Sequence, residues 1–261
     1  MTPRSTAGAL LSAGLLAATV PASAQRGPAA ASTHLSPEVL SLACSPHGAL
    51  EPPPMPLRIT GGQDSFVRRI HAPGDLVTIN AGTKNGIEVG QEFYTKRLQI
   101  ARREPITRET PATVHTTGWI RVYAVDEIEE LSLATITHAC DTIEIGDYLE
   151  PFVLPTVPTI STDRSKPQRD HYGHVLVGTD RRTSFGKGDY FVVDRGSDHG
   201  IEMGSQFVLY RNKKQPENFL YEIGEAVAVD VRPEMTTVQV TVSLDAIQEG
   251  DYVALRRAPK D

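Results

Sequence analysis

Along most of the chain, apolar residues recur at every second position in short runs, and glycines punctuate the runs. Val77 and Ile79 alternate with Leu76, Thr78 and Asn80, and Phe191 and Val193 take the matching places further on. Alternation of this kind between glycines describes a strand that buries one face. Glu92 to Arg97, Gln206 to Arg211, Trp119 to Val125, Leu131 to Thr137, Ala226 to Val231 and Thr237 to Leu244 read as further strands. The stretch TTVQVTVSL from Thr236 to Leu244 is β-branched at almost every other place, which strands accept and helices disfavour. One short helix is expected, at Pro37 to Ala43.

The pattern repeats. GDLVTINAGTKNGIEVGQEFYTKR, from Gly74 to Arg97, aligns without a gap on GDYFVVDRGSDHGIEMGSQFVLYR, from Gly188 to Arg211, at an offset of 114 residues and with nine of 24 positions identical. The identities include Gly74/Gly188, Asp75/Asp189, Gly82/Gly196, Gly86/Gly200, Gly90/Gly204, Phe93/Phe207 and Arg97/Arg211. Each copy closes on a second signature, DTIEIGDY with Gly146 and Asp147, and DAIQEGDY with Gly250 and Asp251. An internal duplication is the reading that a search for repeats returns. It places one module at 57–152 and a second at 174–257, joined by a linker at 153–173 that is rich in Pro, Ser and Thr. About five short strands per module make a small closed or nearly closed barrel, since closure removes exposed edges. The fold class is therefore all-β, with two tandem barrels.

The pattern GD-x-V-x-I-x-x-G-x-x-x-G-I-x-x-G-x-x-F, followed by I-x-x-GD, resembles the SH3-like β-barrel modules at the C-termini of bacterial envelope proteins. It is similar to those of LysM-bearing peptidoglycan-binding proteins and of the flagellar ring-associated FlgT family. Gly74, Asp75, Gly82, Gly86, Ile87, Gly90, Phe93, Ile143, Gly146 and Asp147 carry the match, with their partners in the second copy. The resemblance implies non-catalytic envelope architecture. No LysM motif precedes residue 57, so peptidoglycan binding of that kind is not implied.

Composition adds an address. Arg4 precedes a small and apolar run from Ala7 to Val20, followed by Ala22, Ser23 and Ala24. A basic start, an apolar stretch and an A-x-A site predict a signal peptide at 1–24, leaving an N-terminal extension at 25–56. The apolar run is shorter than the roughly 20 residues of a spanning helix. Periplasmic or secreted placement follows, without a transmembrane span after cleavage. In such a compartment the two cysteines are expected to join as a Cys44–Cys140 disulfide. Acidic residues outnumber basic ones 32 to 26, which argues against nucleic acid as a partner.

Candidate chemistry is sparse. Asp75, Asp147, Asp189 and Asp251 could serve acid–base or calcium chemistry. Recurring at both ends of both copies, they read as turn caps that bond nearby amides, beside the turn glycines Gly74, Gly82, Gly86, Gly90, Gly146, Gly188, Gly196, Gly200, Gly204 and Gly250. Ser197, Asp198 and His199 are adjacent, but a triad is assembled from distant segments, and Thr83, Lys84 and Asn85 in the first copy lack its chemistry. His171 and His174 read as surface histidines, and no metal or cofactor is expected. The copies differ most in the loop from Leu98 to Thr117, so Arg102, Arg103, Arg108 and nearby Trp119 are the candidates for a contact surface.

Two functions remain open. One is an exported, non-enzymatic scaffold or interaction protein of the bacterial envelope, whose partner is an envelope protein or a glycan. The other is a secreted hydrolase or glycan-binding protein with its site between the modules.

Overall fold

The computed structural model describes residues 35–49, 54–64, 68–100, 112–128, 130–167, 172–178, 182–213 and 219–256. The expected signal peptide and Arg102, Arg103 and Arg108 lie outside the described residues. Residues 35 onward form one compact unit.

The first described element is the expected helix α1 (Pro37–Ala43), where Ser36 Oγ accepts from the Val39 amide and Pro37 opens the first turn. Strand β1 (His47–Ala49) follows. Then come β2 (Ile59–Gly62), β3 (Ile70–His71), β4 (Leu76–Ile79), β5 (Glu92–Ile100), β6 (Ala112–Asp126), β7 (Leu131–Ala139), β8 (Ile143–Glu144) and β9 (Tyr148–Pro151). These pair in the order β2-β4-β7-β6-β5-β9, with β1 on β6 and a short β3–β8 ladder. Backbone bonds from Ile59 to Asp147 (2.9 Å), Gly146 to Ile59 (2.8 Å) and Leu149 to Leu57 (3.0 Å) join the two ends of the sheet.

The second half contains β10 (Gly173–Gly178), β11 (Ser184–Phe185), β12 (Tyr190–Val193), β13 (Gln206–Lys213), β14 (Phe219–Val231), β15 (Thr236–Ser243), β16 (Ile247–Gln248) and β17 (Tyr252–Leu255). Six of them close into a barrel, β10-β12-β15-β14-β13-β17, and β11 pairs with β16. The register shifts at Thr95/Lys96 in the β5–β6 ladder and at Leu209/Tyr210 in the β13–β14 ladder. Such bulges bend a strand sharply enough to curl a small sheet. Gly118 and Gly224 sit beside these bends, where an added Cβ would collide with the His138 and Val242 carbonyl oxygens.

Alternation places the cores. Val77, Ile79, Phe93, Ile120 and Ile136 fill the first half. Val193, Phe191, Phe207, Leu209 and Val238 fill the second. The exceptions are informative. Ala112 to Ile120 is buried at every position, and so is all of β12. Both faces of these strands are covered, the inner by a barrel core and the outer by the segment from Leu35 to Ala49. In β1, His47 lies opposite Val114 and Ala49 opposite Ala112. An extra Cβ on Gly48 would stand 2.6 Å from Val192 Cγ1 and 2.7 Å from Met235 Sδ, so β1 also abuts the second barrel. Leu42 joins the cluster of Tyr190, Val227 and Val229, and Ser41 Oγ lies 2.8 Å from Tyr190 Oη.

Two sequence expectations change accordingly. The described ends of the Leu98–Thr117 segment are strand rather than loop, because β1 pairs along the start of β6. Within the expected extension at 25–56, residues 35–49 are a wedge packed against both the first sheet and the barrel of the second half. The described part of the linker has no strand between Pro151 and Gly173. It lies along the second barrel, with the Ser161 amide donating to Gly204 O (2.9 Å) and Arg164 to Gln206 Oε1 (3.2 Å).

Candidate functional site

The four repeated aspartates share one geometry. Each accepts the amide of the residue three before it: Asp75 from Ala72 (2.8 Å), Asp147 from Glu144 (2.9 Å), Asp189 from Gly186 (2.8 Å) and Asp251 from Gln248 (2.7 Å). Each also meets an arginine. Arg68 reaches Asp75 (2.8 Å) and Arg182 reaches Asp189 (3.1 Å). Arg97 and Arg211 grip Asp147 and Asp251 with Nε and Nη2 together, at 2.7 to 2.9 Å. That is the bidentate fork that makes an arginine–carboxylate pair strong. The Ala72 amide, then Arg68, holds the Asp75 carboxyl below its usual range.

The turn glycines bracket these carboxylates. Gly86 and Gly200 end short 3-10 turns with φ of 76° and 75°, a conformation that a side chain resists. Gly74, Gly90, Gly146, Gly188, Gly204 and Gly250 also take positive φ. Gly82 and Gly196 are extended instead and stand at the turn starts, where an added Cβ would strike the Glu130 backbone in one and the Arg232 and Pro233 carbonyls in the other. Asn85 Oδ1 and His199 Nδ1 both accept from these glycine amides, at 3.5 and 3.3 Å. Ser197, Asp198 and His199 are thus one turn, with the imidazole bonded within it. His174 pairs with Asp194 (3.1 Å) at the surface, and His171 lies outside the described residues.

The Cys44–Cys140 disulfide is present, with Cα atoms 5.6 Å apart. His138 places a ring nitrogen within 4.8 Å of both sulfurs, but the bridge occupies them. Trp119, expected at a contact surface, is buried at 7% exposure beneath α1. Its ring stacks on His138 at 4.2 Å and packs edge-on against Tyr94 at 6.1 Å.

A cleft with convergent polar groups, about 400 Å³ in volume, is lined by residues of the wedge and of both halves of the chain. Its walls include Tyr94, Pro155, Met203 and Val229, and its polar lining includes His47, Lys96, Asp230 and Arg232. Lys96, on β5, is buried, and its Nζ stands 3.1 Å from Glu150 and 3.5 Å from His47 Nδ1. Burial lowers the Lys96 pKa against the pull of Glu150. Burial, then the charges of Lys96 and Arg232, pushes His47 down to about 2, so the ring is neutral. Arg232 follows β14 and donates Nε to Asp230 (3.2 Å).

Sequence reasoning passed over His47, Lys96, Asp230 and Arg232, which come from three distant segments; Lys96 lies inside the first repeated motif, but its counterpart in the second copy is Tyr210, so the repeat does not single it out. The arginine partners left a trace: Arg68 and Arg182, like Arg97 and Arg211, stand 114 residues apart. No family model matches the chain, and no curated protein does.

Proposed function

We propose that the chain is an exported, non-enzymatic interaction protein of a bacterial envelope, built as two tandem SH3-like barrels that arose by duplication. Its parts are a signal peptide at 1–24, an extension at 25–56, barrels at 57–152 and 174–257, and a linker at 153–173. The duplication is supported by a common strand order, by bulges 114 residues apart, and by the matched φ angles of Gly86 and Gly200. Export to the periplasm or beyond is supported by the disulfide, because such bridges persist in oxidising compartments.

One observation carries the non-enzymatic reading. All four repeated carboxylates are held by a backbone amide and an arginine, so they serve the turns and are not poised to exchange protons with a substrate. The cleft between the barrels offers a place for a group of an envelope protein or glycan to enter. Affinity capture from envelope fractions, followed by mass spectrometry and a turnover panel of glycans and esters, tests the reading. A stoichiometric partner without turnover is expected, and turnover of any panel member by the purified protein refutes it.

A further inference from the structure

We propose that the cleft between the barrels binds a carboxylate, held by the guanidinium of Arg232 and the Nε2–H of His47. The inference rests on the reading of the chain as a binding protein and names the chemistry that one site accepts.

The tautomer of His47 follows from its neighbour. A lysine ammonium is a donor only, so at 3.5 Å Lys96 Nζ makes Nδ1 the acceptor, and the proton of the neutral ring sits on Nε2. His47 is more than nine-tenths buried, it lines the cleft, and its Nε2 has no partner among the described residues. Arg232 uses Nε on Asp230, and its two terminal nitrogens have no partner among the described residues. Those nitrogens form the planar fork that matches a carboxylate. The cleft therefore presents an imidazole Nε2–H without an acceptor among the described residues, beside a half-exposed guanidinium fork.

Charge points the same way. Lys96 on β5 contacts His47 and is paired with Glu150 on β9, and Arg232, just beyond β14, is paired with Asp230. Lys96 and Arg232 are the charges that act on the ring, and both disfavour its protonation. Lys96 and Arg232 are each paired with a carboxylate, Glu150 and Asp230, so selection falls to the donors left over, the terminal guanidinium nitrogens and Nε2–H, which favour a negatively charged acceptor. The volume suits a ligand of one or two rings, and Tyr94, Pro155, Met203 and Val229 supply its apolar walls. With its pKa at about 2 the ring stays neutral on binding and donates Nε2–H without taking up a proton, so affinity is the same at pH 6 and pH 8.

Calorimetric titration of the full, oxidised protein with glucuronate, glutarate and glucose at pH 6 and pH 8 tests this. The carboxylates should bind one to one, with the same affinity at pH 6 and pH 8 and no proton uptake, while glucose does not bind. Arg232→Gln should weaken binding about tenfold or more with an unchanged circular dichroism spectrum, and Arg232→Lys should restore only part of it. Binding of glucuronate alone assigns an acidic glycan as the source, and binding of glutarate as well assigns a carboxylate irrespective of its carrier. Equal binding of glucose, no binding of either acid, or wild-type affinity in Arg232→Gln overturns the inference. If an envelope partner is captured without turnover and neither acid binds, this inference fails while the function proposed above stands.

Discussion

Acidification should loosen the wedge of residues 35–49 through His47. Its folded pKa is about 2, against 6.5 for the free side chain. Between those values the unfolded chain holds a proton that the folded protein refuses, so stability falls as pH drops through 6.5. From pH 7 to pH 4.5 the linkage costs about 2.5 kcal/mol, at 1.36 kcal/mol per pH unit once the unfolded histidine is protonated. His47 is buried beside Lys96 and the charge of Arg232, so protonation would set three cations against Glu150 and Asp230. The perturbation is His47→Asn, whose side-chain oxygen can still accept from Lys96 but does not titrate in this range. Urea unfolding followed by the fluorescence of Trp119, the single tryptophan, at half-unit steps from pH 7 to 4.5 gives the two stability curves. Carboxylates and the other histidines titrate in both proteins and cancel in the difference. The wild type should lose about 2.5 kcal/mol more than the variant. Parallel curves, within about 0.5 kcal/mol, would refute the assignment of His47 as a buried neutral ring.

Three further outcomes follow from the packing. Removing the disulfide with Cys44→Ala and Cys140→Ala opens a loop of 96 residues in sequence separation and should cost about 4 to 5 kcal/mol in chemical denaturation; a loss under about 1 kcal/mol contradicts the chain-entropy account. Gly86→Val and Gly200→Val should each destabilise by about 1 to 2 kcal/mol or more, because both turns need positive φ, and unchanged melting of either variant would count against the assigned turn. His71 is buried with neither ring nitrogen bonded among the described residues, and Phe185 holds the position 114 residues on. His71→Phe should therefore raise stability by about 1 kcal/mol, since an unsatisfied polar group is replaced by an apolar ring; a lowered melting temperature would show that the site cannot take it.

Local periodicity carried the strands because it is written by each strand's own neighbours. Val77, Ile79, Phe191 and Val193 alternate, and all four point into a core. Where a strand is covered on both faces the rule fails. Thr113, His115, Thr116 and Thr117 look like loop residues in the sequence, yet all four are buried in the strand on which β1 pairs. Trp119 fails in the same way, since an aromatic beside a basic loop suggests a contact surface until α1 is seen to cover it.

By itself the sequence determined the turns and the elements between them. A glycine with positive φ, an aspartate that accepts an amide three residues back, and a β-branched run all act over distances of a few residues, so their spacing is visible in one dimension. With an oxidising compartment inferred from the leader-like start, even the disulfide was legible, because two cysteines allow one internal pairing. Only the tertiary structure decided what lies between the first sheet and the barrel of the second half. In the segment from Leu35 to Ala49 the sequence shows a short helix and one cysteine, but its role comes from partners far along the chain: Tyr190 against Ser41, and Thr237 donating to Pro46 O at 2.9 Å. The cleft is of the same kind. His47, Lys96, Glu150, Asp230 and Arg232 share no spacing or motif, and their chemistry exists only because burial brings a lysine and an arginine to bear on one imidazole. Desolvation and charge depend on distance in space, and sequence separation does not record it.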